Sequence, residues 1–187
     1  MCRGIACYAP TAYDSVVSRI LYQDREWEIL EEEAPIPNGR TAKRMRVKRC
    51  DSVHVLAFPT PDTILLLREY RPFYAEWLWM LPSGRADKEK DMAAAAQREL
   101  QEETGFRAGK LQYWFRTNHS ESFVCTNHVF IGENLEKAPL QQDHDELIEV
   151  HEISLRDAVR DALKDRYRHT VTAYALLRYG LERGIAV

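Results

Sequence analysis

The sequence predicts an α+β fold, in which strands are interrupted by one central helix and followed by further helices. Short apolar stretches of strand length lie on both sides of a helical segment at 92–103, and helical spacing returns only after residue 154. This segregated order is typical of an α+β architecture. The chain of 187 residues is expected to form one domain over 1–187, with an N-terminal arm and strands at 1–50 and a core at 51–187.

The composition is that of a folded protein, with 45% hydrophobic and 29% charged residues, and it excludes a disordered chain. The longest uncharged apolar stretch, 53–61, is far shorter than the about 20 residues that cross a bilayer. No signal peptide is visible, and the four cysteines lack C-x-x-C spacing, which favours thiols in a reducing cytoplasm. We therefore expect a soluble, cytoplasmic protein with no membrane partner.

The N-terminal part of the chain is predicted to form strands at 20–22, 27–30 and 43–47, with an Asn-Gly turn at 38–39. Basic residues between 40 and 49 alternate with apolar ones, which favours a strand with one basic, solvated face. Nucleic-acid binding is the less favoured interpretation of this alternation. The formal net charge of −3 argues against coating of nucleic acid over the whole surface and leaves a local basic patch open.

The core is predicted to combine five strands and three helices. The strands are 51–58, 63–69, 110–116, 127–132 and 148–153. The helices are 92–103, 155–163 after an N-cap at Ser154, and 170–183. The central helix is the clearest of them, because Asp91 is a suitable N-cap and Gly105 stands where a C-cap belongs.

Three carboxylates on the central helix are candidate ligands for a metal ion. Glu99, Glu102 and Glu103 fall on one helix face within a single turn, where like charges repel. A hard divalent cation such as Mg²⁺ would relieve this repulsion. A solvated acidic face is the alternative, and the spacing alone leaves both interpretations open. Turns at 82–84 and at Gly105 bracket the helix and favour the metal site.

The segment 84–106 resembles the Nudix box, G-x5-E-x7-R-E-U-x-E-E-x-G-U, where U is a bulky apolar residue. Eight of the nine fixed positions match over 23 residues. They are Gly84, Arg98, Glu99, Leu100, Glu102, Glu103, Gly105 and Phe106. The departure is Lys90, which stands where the family has a glutamate that holds the arginine of the box. Glu89 or Asp91 is a candidate to replace that glutamate.

The resemblance covers roughly residues 19–165 and is closest to the ADP-ribose and nucleoside-diphosphate-sugar pyrophosphatase branch. The segments that resemble this branch are 37–40, 64–72, 81–84 and 143–150. Two departures concern the substrate: Met80 stands where the branch has glutamate, and the loop 118–127 lacks its usual Pro-Gly.

The resemblance implies a Nudix fold, a mixed β-sheet sandwich between helices with an N-terminal antiparallel strand extension. It also implies Mg²⁺-dependent hydrolysis, with Mn²⁺ as an alternative ion, of the pyrophosphate in a small-molecule nucleotide. The most favoured substrate is ADP-ribose or a sugar nucleotide, giving a nucleoside monophosphate and a sugar phosphate. Members of this branch are commonly homodimers, and 19–50 is the expected source of that interface.

The residues that match the family motif carry the predicted roles. Glu99 and Glu103 are the principal metal ligands, joined by the Ser83 carbonyl. Glu102 is a further ligand or a catalytic carboxylate that supports the ligands without touching the metal. Arg98 orients the glutamates. Glu146 is the general base, with a surface acid in an acidic loop as its alternative. The predicted substrate-binding residues are Arg71, Arg68, Gly84 and Trp79. The alternative is an exposed strand position for Arg68 and core packing for Trp79.

Two alternatives to this activity stay open in the sequence. A catalytically weak Nudix-fold module that binds a nucleotide is suggested by Lys90, although the clustered carboxylates argue against it. A hydrolase of another nucleotide, such as a dinucleoside polyphosphate or an oxidised nucleotide, keeps the chemistry and changes the substrate.

Overall fold

The computed structural model describes residues 16–89, 91–142, 146–164 and 169–185. These residues divide into two compact units, one from 16–49 with 119–124 and the other from the rest. The organisation of 1–187 as one domain stays a prediction. None of the helices in the described part of the chain is long and apolar enough to cross a membrane.

The described residues form eleven strands and three helices. The strands are β1 (Val17–Gln23), β2 (Trp27–Pro35), β3 (Thr41–Arg49), β4 (Ser52–Thr60), β5 (Thr63–Arg71), β6 (Glu76–Met80), β7 (Ser83–Arg85), β8 (Phe106–Asn118), β9 (Phe123–Val124), β10 (Thr126–Lys137) and β11 (Ile148–Ser154). The helices are α1 (Met92–Thr104), α2 (Leu155–Asp161) and α3 (Thr170–Glu182).

The first unit is a four-stranded sheet in the order β1-β2-β3-β9, in which only the short β9 runs parallel to its neighbour. The predicted Asn-Gly turn joins β2 to β3, and Gly39 there has a φ of 79°, a left-handed conformation that glycine adopts without steric cost.

The basic run is a strand, as predicted, because β3 pairs along its whole length with the acidic β2. Lys43 Nζ lies 2.9 Å from Glu31 Oε1, and Lys48 Nζ lies 3.2 Å from Glu28 Oε2. Cross-strand ion pairs of this kind stabilise the hairpin modestly, and the glutamates of β2 offset the positive charge of β3.

The second unit is a mixed sheet in the order β11-β5-β4-β10-β8, to which β6 adds on β5 and β7 on β4. The pair β4–β10 is parallel and the other described pairs are antiparallel. One face packs against α1 and the other against α2 and α3. The predicted α+β sandwich is therefore confirmed.

The ends of α1 follow from local chemistry, as expected. The Ala93 N–H donates to the Asp91 side chain at 3.1 Å, and Gly105 adopts a left-handed C-cap with a φ of 76°. At α2, Ser154 is the N-cap residue, as expected, but its side chain forms no capping hydrogen bond. The Leu155 N–H donates to the Asp62 carbonyl at 2.8 Å. The strands β6, β7 and β9 were not predicted, because such short strands are defined by their partners.

Candidate active site

The segment that precedes α1 lies directly on the carboxylates of that helix. The strand β7 pairs with the start of β4, which places Gly84 opposite Val53. The Ser83 N–H donates to Oε2 of Glu103 at 2.7 Å. A methyl group at Gly84 would overlap the carboxylate of Glu99, so the box glycine is required there by close approach.

Arg98 joins the carboxylates of the box. Its Nη2 donates to Glu99 Oε1 at 2.8 Å and to the Arg85 carbonyl at 3.1 Å, and its Nη1 donates to Glu102. Burial works against the charged form, yet Glu89, Glu99 and Glu102 raise the pKa of Arg98 above its usual range. The predicted contact between Arg98 and the glutamates is present.

Glu89 supplies a carboxylate partner for Arg98. Its Oε1 accepts a hydrogen bond from Nε of Arg98 at 2.6 Å, and both side chains are largely buried. Asp91, the other candidate, caps α1 instead. Lys90 itself lies outside the described residues. The structure thus shows an arginine held by the residue one position before the box glutamate.

Glu99 and Glu103 are carboxylates whose charge is poorly compensated. Their residues are only 9% and 7% exposed. Burial, with added repulsion from Glu102 and Glu146, raises the pKa of Glu99 to about 7 in spite of Arg98. Burial raises the pKa of Glu103 well above its usual value, although the Ser83 N–H opposes the shift. A cation bound beside them would lower both pKa values and favour the ionised carboxylates.

Glu146, the predicted general base, is exposed and lies within electrostatic reach of the site. Its charge contributes to the raised pKa values of Glu69, Glu99 and Glu103. The structure therefore brings Glu146 together with α1, although the two are more than forty residues apart in sequence. Its role as a base stays a prediction.

Glu69 is a site carboxylate that the sequence reading missed. It is buried and pairs with Arg71, whose Nη2 lies 2.8 Å from its Oε2. Burial raises the pKa of Glu69 to about 6, with Arg71 opposing and Glu146 adding to the shift. The available signal was its position, since Leu65, Leu67 and Glu69 share one face of β5.

The predicted substrate-binding residues lie on two different faces of the sheet. Arg71 shares its face of β5 with Leu65, which packs against α1, and its Nη2 also donates to the Met80 sulfur at 3.2 Å. Arg68 lies on the opposite face, where Trp79 packs against the core beneath α2 and α3. The core-packing alternative for Trp79 thus has structural support. The substrate roles of all three stay predictions.

The donor chemistry of the site fits a hard divalent cation. Glu99 and Glu103 each accept a hydrogen bond through one carboxylate oxygen. Their other oxygens, Glu99 Oε2 and Glu103 Oε1, accept no hydrogen bond from the described part of the chain. Carboxylate oxygens are the ligands that Mg²⁺ prefers. Among the described residues, however, no group of three histidine, cysteine, aspartate or glutamate side chains is close enough together to hold a metal ion.

Comparison with known proteins defines the family. A family profile described as the NUDIX domain matches residues 48–174, about two thirds of the chain. The chain therefore belongs to the Nudix family, and it is a Nudix hydrolase. Hydrolases of this family act on small-molecule nucleotides and generally use divalent metals.

Individual relatives agree with this assignment. The chain is 29% identical over 170 residues to the ADP-ribose pyrophosphatase of Bacillus subtilis (strain 168), covering 87% of this chain and 89% of that protein. It is 24% identical over 168 residues to the methanol dehydrogenase activator of Bacillus methanolicus, covering 88% and 91%.

A solved structure described as "Crystal structure of ADP compounds hydrolase" aligns with this chain with a TM-score of 0.72 at 19% identity, covering 91% of this chain and 95% of that one. This alignment shows that the two proteins share a fold. The predicted Nudix fold and the resemblance to the ADP-ribose pyrophosphatase branch are confirmed. The alternative of a catalytically weak binding module receives no support from these comparisons.

Proposed function

We propose that this Nudix hydrolase is a Mg²⁺-dependent pyrophosphatase that cleaves a nucleoside diphosphate linked to a sugar, with ADP-ribose the most favoured substrate. The products are a nucleoside monophosphate and a sugar phosphate. The observation that carries the proposal is the buried pair Glu99 and Glu103, whose pKa values are raised and whose second oxygens point to no described protein partner.

The residues of α1 and the preceding segment divide the work. Glu99 and Glu103 hold the metal, with Glu102 and the Ser83 carbonyl as further ligands. A bound Mg²⁺ offsets the negative charge of the pyrophosphate oxygens and of these carboxylates. Arg98 holds Glu99 and Glu102 in place through its guanidinium. Mn²⁺ has the same ligand preference and is the alternative ion.

Glu146 takes the proton of the attacking water. It lies in a loop, where catalytic groups that move usually sit, and its field already reaches Glu99 and Glu103. Arg71 binds a phosphate of the substrate through its guanidinium, since its described partners Glu69 and Met80 engage only Nη2.

The choice of substrate rests on the likeness to the pyrophosphatase of Bacillus subtilis. The test is a panel of ADP-ribose, GDP-mannose, UDP-glucose, NADH and diadenosine polyphosphates, incubated with Mg²⁺ and resolved by chromatography. We expect AMP and ribose 5-phosphate from ADP-ribose at the highest rate. Faster cleavage of a polyphosphate dinucleotide would overturn the substrate assignment, and turnover of none would overturn the activity.

We propose further that the protein is a homodimer formed through the four-stranded sheet. The edge strand β1 is exposed along its whole length and carries Val17 (69% exposed), Ile20 (55%) and Tyr22 (52%). An apolar edge strand of this kind is a template for pairing with another chain. We also propose that the protein is cytoplasmic, because its cysteine spacing favours free thiols in a reducing compartment.

Light scattering after size exclusion tests the dimer. Ile20→Lys is expected to give a monomer, whereas the control Leu181→Lys, a charge placed at an exposed leucine of α3, is expected to leave the dimer intact. A monomeric wild type would contradict the proposal, and so would an unchanged dimer of Ile20→Lys.

A further inference from the structure

The segment Leu81–Ser83, which leads into the box, is held by hydrogen bonds to separate elements. The Pro82 carbonyl accepts from the Val55 N–H of β4 at 2.9 Å. The next residue, Ser83, donates its N–H to Glu103 of α1 at 2.7 Å. The position of the Glu103 carboxylate is therefore linked to the path of this segment.

The third attachment comes from α3. The Leu81 N–H donates to Oγ1 of Thr172 at 3.1 Å, and this oxygen also lies 2.9 Å from Nδ1 of His169. Leu81 and Thr172 are both fully buried, at 0% exposure. A buried N–H without an acceptor is strongly disfavoured, so removal of this hydroxyl would displace Leu81 or leave its N–H unsatisfied.

Core packing alone does not call for a hydroxyl at this position. The neighbouring buried positions of α3, Val171, Ala175 and Leu176, are apolar and pack in the core. Valine has nearly the same shape as threonine. What threonine adds is an acceptor for the Leu81 N–H, two residues before Ser83.

We infer that Thr172 is a positioning residue for the active site, which acts through Leu81–Ser83 to keep the Ser83 N–H on Glu103. Thr172 touches neither the substrate nor the metal. The inference rests on the proposed function for its effect on Mg²⁺, and on the geometry alone for its effect on the Ser83 amide.

Thr172→Val tests the inference, with Thr172→Ser as the variant that keeps the hydroxyl. In Thr172→Val the Leu81 and Ser83 amides are expected to exchange with deuterium at least tenfold faster. The Mg²⁺ concentration for half-maximal turnover is expected to rise about tenfold, because sub-ångström changes at a metal ligand are costly. Thr172→Ser is expected to restore both quantities to within about twofold of the wild type.

A purely structural role is tested by Val171→Ala, which removes apolar packing from the same helix turn but keeps the Thr172 hydroxyl that accepts from the Leu81 N–H. It is expected to lower the melting temperature while leaving the Mg²⁺ requirement and the Ser83 exchange rate unchanged. The inference is overturned if Thr172→Val leaves Ser83 exchange unchanged, or if Val171→Ala reproduces its effects. If Thr172→Val fails to fold, the same comparison is made with Thr172→Ala.

The two proposals fail in different ways. A wild type that shows no Mg²⁺-dependent turnover contradicts the proposed function, whereas the exchange of the Ser83 amide still decides the role of Thr172. Normal turnover with an unchanged Ser83 amide in Thr172→Val contradicts only the positioning role.

Discussion

The guanidinium of Arg98 donates from Nε to Oε1 of Glu89 at 2.6 Å, one residue before the position where the Nudix box has its first glutamate. Arg98 therefore has a carboxylate partner although position 90 of the sequence is lysine. The same guanidinium also donates to Glu99 and Glu102.

Glu89→Gln is therefore expected to weaken both stability and activity. Loss of the charged partner of a largely buried arginine should lower the free energy of unfolding by about 1–3 kcal/mol, measured by urea denaturation. The ratio kcat/KM should fall roughly tenfold, because Arg98 is then free to shift away from the α1 carboxylates.

Two comparisons sharpen this prediction. Asp87→Asn, a nearby and more weakly paired carboxylate, should have little effect. Lys90→Glu, which completes the box, should change kcat/KM less than Glu89→Gln does. A Glu89→Gln variant with wild-type turnover would show that Arg98 does not need this partner.

Gly84→Ala is expected to abolish most of the activity, because the added methyl group would overlap the Glu99 carboxylate. Displacement of this proposed metal ligand should reduce kcat/KM by about 100-fold or more. Gly39→Ala is the control, since a methyl group there meets no atom within 4 Å and the residue lies in the other unit. It should reduce stability by about 1–2 kcal/mol through its positive φ and leave kcat/KM intact. Full activity of Gly84→Ala would contradict the close approach.

Glu146→Gln is expected to lower kcat by about 10²- to 10⁴-fold, the usual contribution of a general base. The half-saturating Mg²⁺ concentration should change little, since Glu146 is not among the proposed ligands. Glu149→Gln is the matched control, because Glu149 is exposed and pairs with Arg68 at 3.2 Å. If both variants lose activity to the same extent, the loss comes from the reduced charge of the acidic segment, and Glu146 is not the general base.

The stability of the protein should depend on pH through Glu69. Burial raises its pKa from 4.5 to about 6, so its protonated form stabilises the folded state. This stabilisation is present below about pH 4.5 and is lost as the pH rises through about 6. Because Glu69→Gln cannot ionise, its free energy of unfolding should rise relative to the wild type across this window. Urea denaturation at several pH values measures the difference, and a constant difference would show that the pKa of Glu69 is not raised.

Local interactions explain which elements were predictable from the sequence. The ends of α1 depend on Asp91 and Gly105, whose capping geometry involves only neighbouring residues, and the box spacing placed the glutamates on one face. The turn at Gly39 is local in the same way. By contrast, the first N–H of α2 donates to the carbonyl of Asp62, which is distant in sequence and which no local pattern indicates.

Tertiary contacts explain what the sequence did not reveal. Glu69 became a site residue only because β5 lies where α1 and Glu146 approach it, which no local pattern indicates. The opposite faces of Arg68 and Arg71 follow from strand alternation, but which helices cover each face depends on tertiary packing. The choice of Glu89 over Asp91 as the partner of Arg98 was likewise decided by packing.

Turnover as a function of Mg²⁺ concentration is the most direct measurement of whether the α1 carboxylates hold a catalytic metal. It is made on the best substrate of the panel for the wild type, for Glu103→Gln and for the exposed-site control Glu136→Gln. We expect turnover that EDTA abolishes, a loss of about 100-fold or more in Glu103→Gln at saturating Mg²⁺, and wild-type behaviour of the control. Turnover that persists in EDTA, or a Glu103→Gln variant that retains the wild-type rate and Mg²⁺ dependence, would contradict a metal-dependent pyrophosphatase built on this helix.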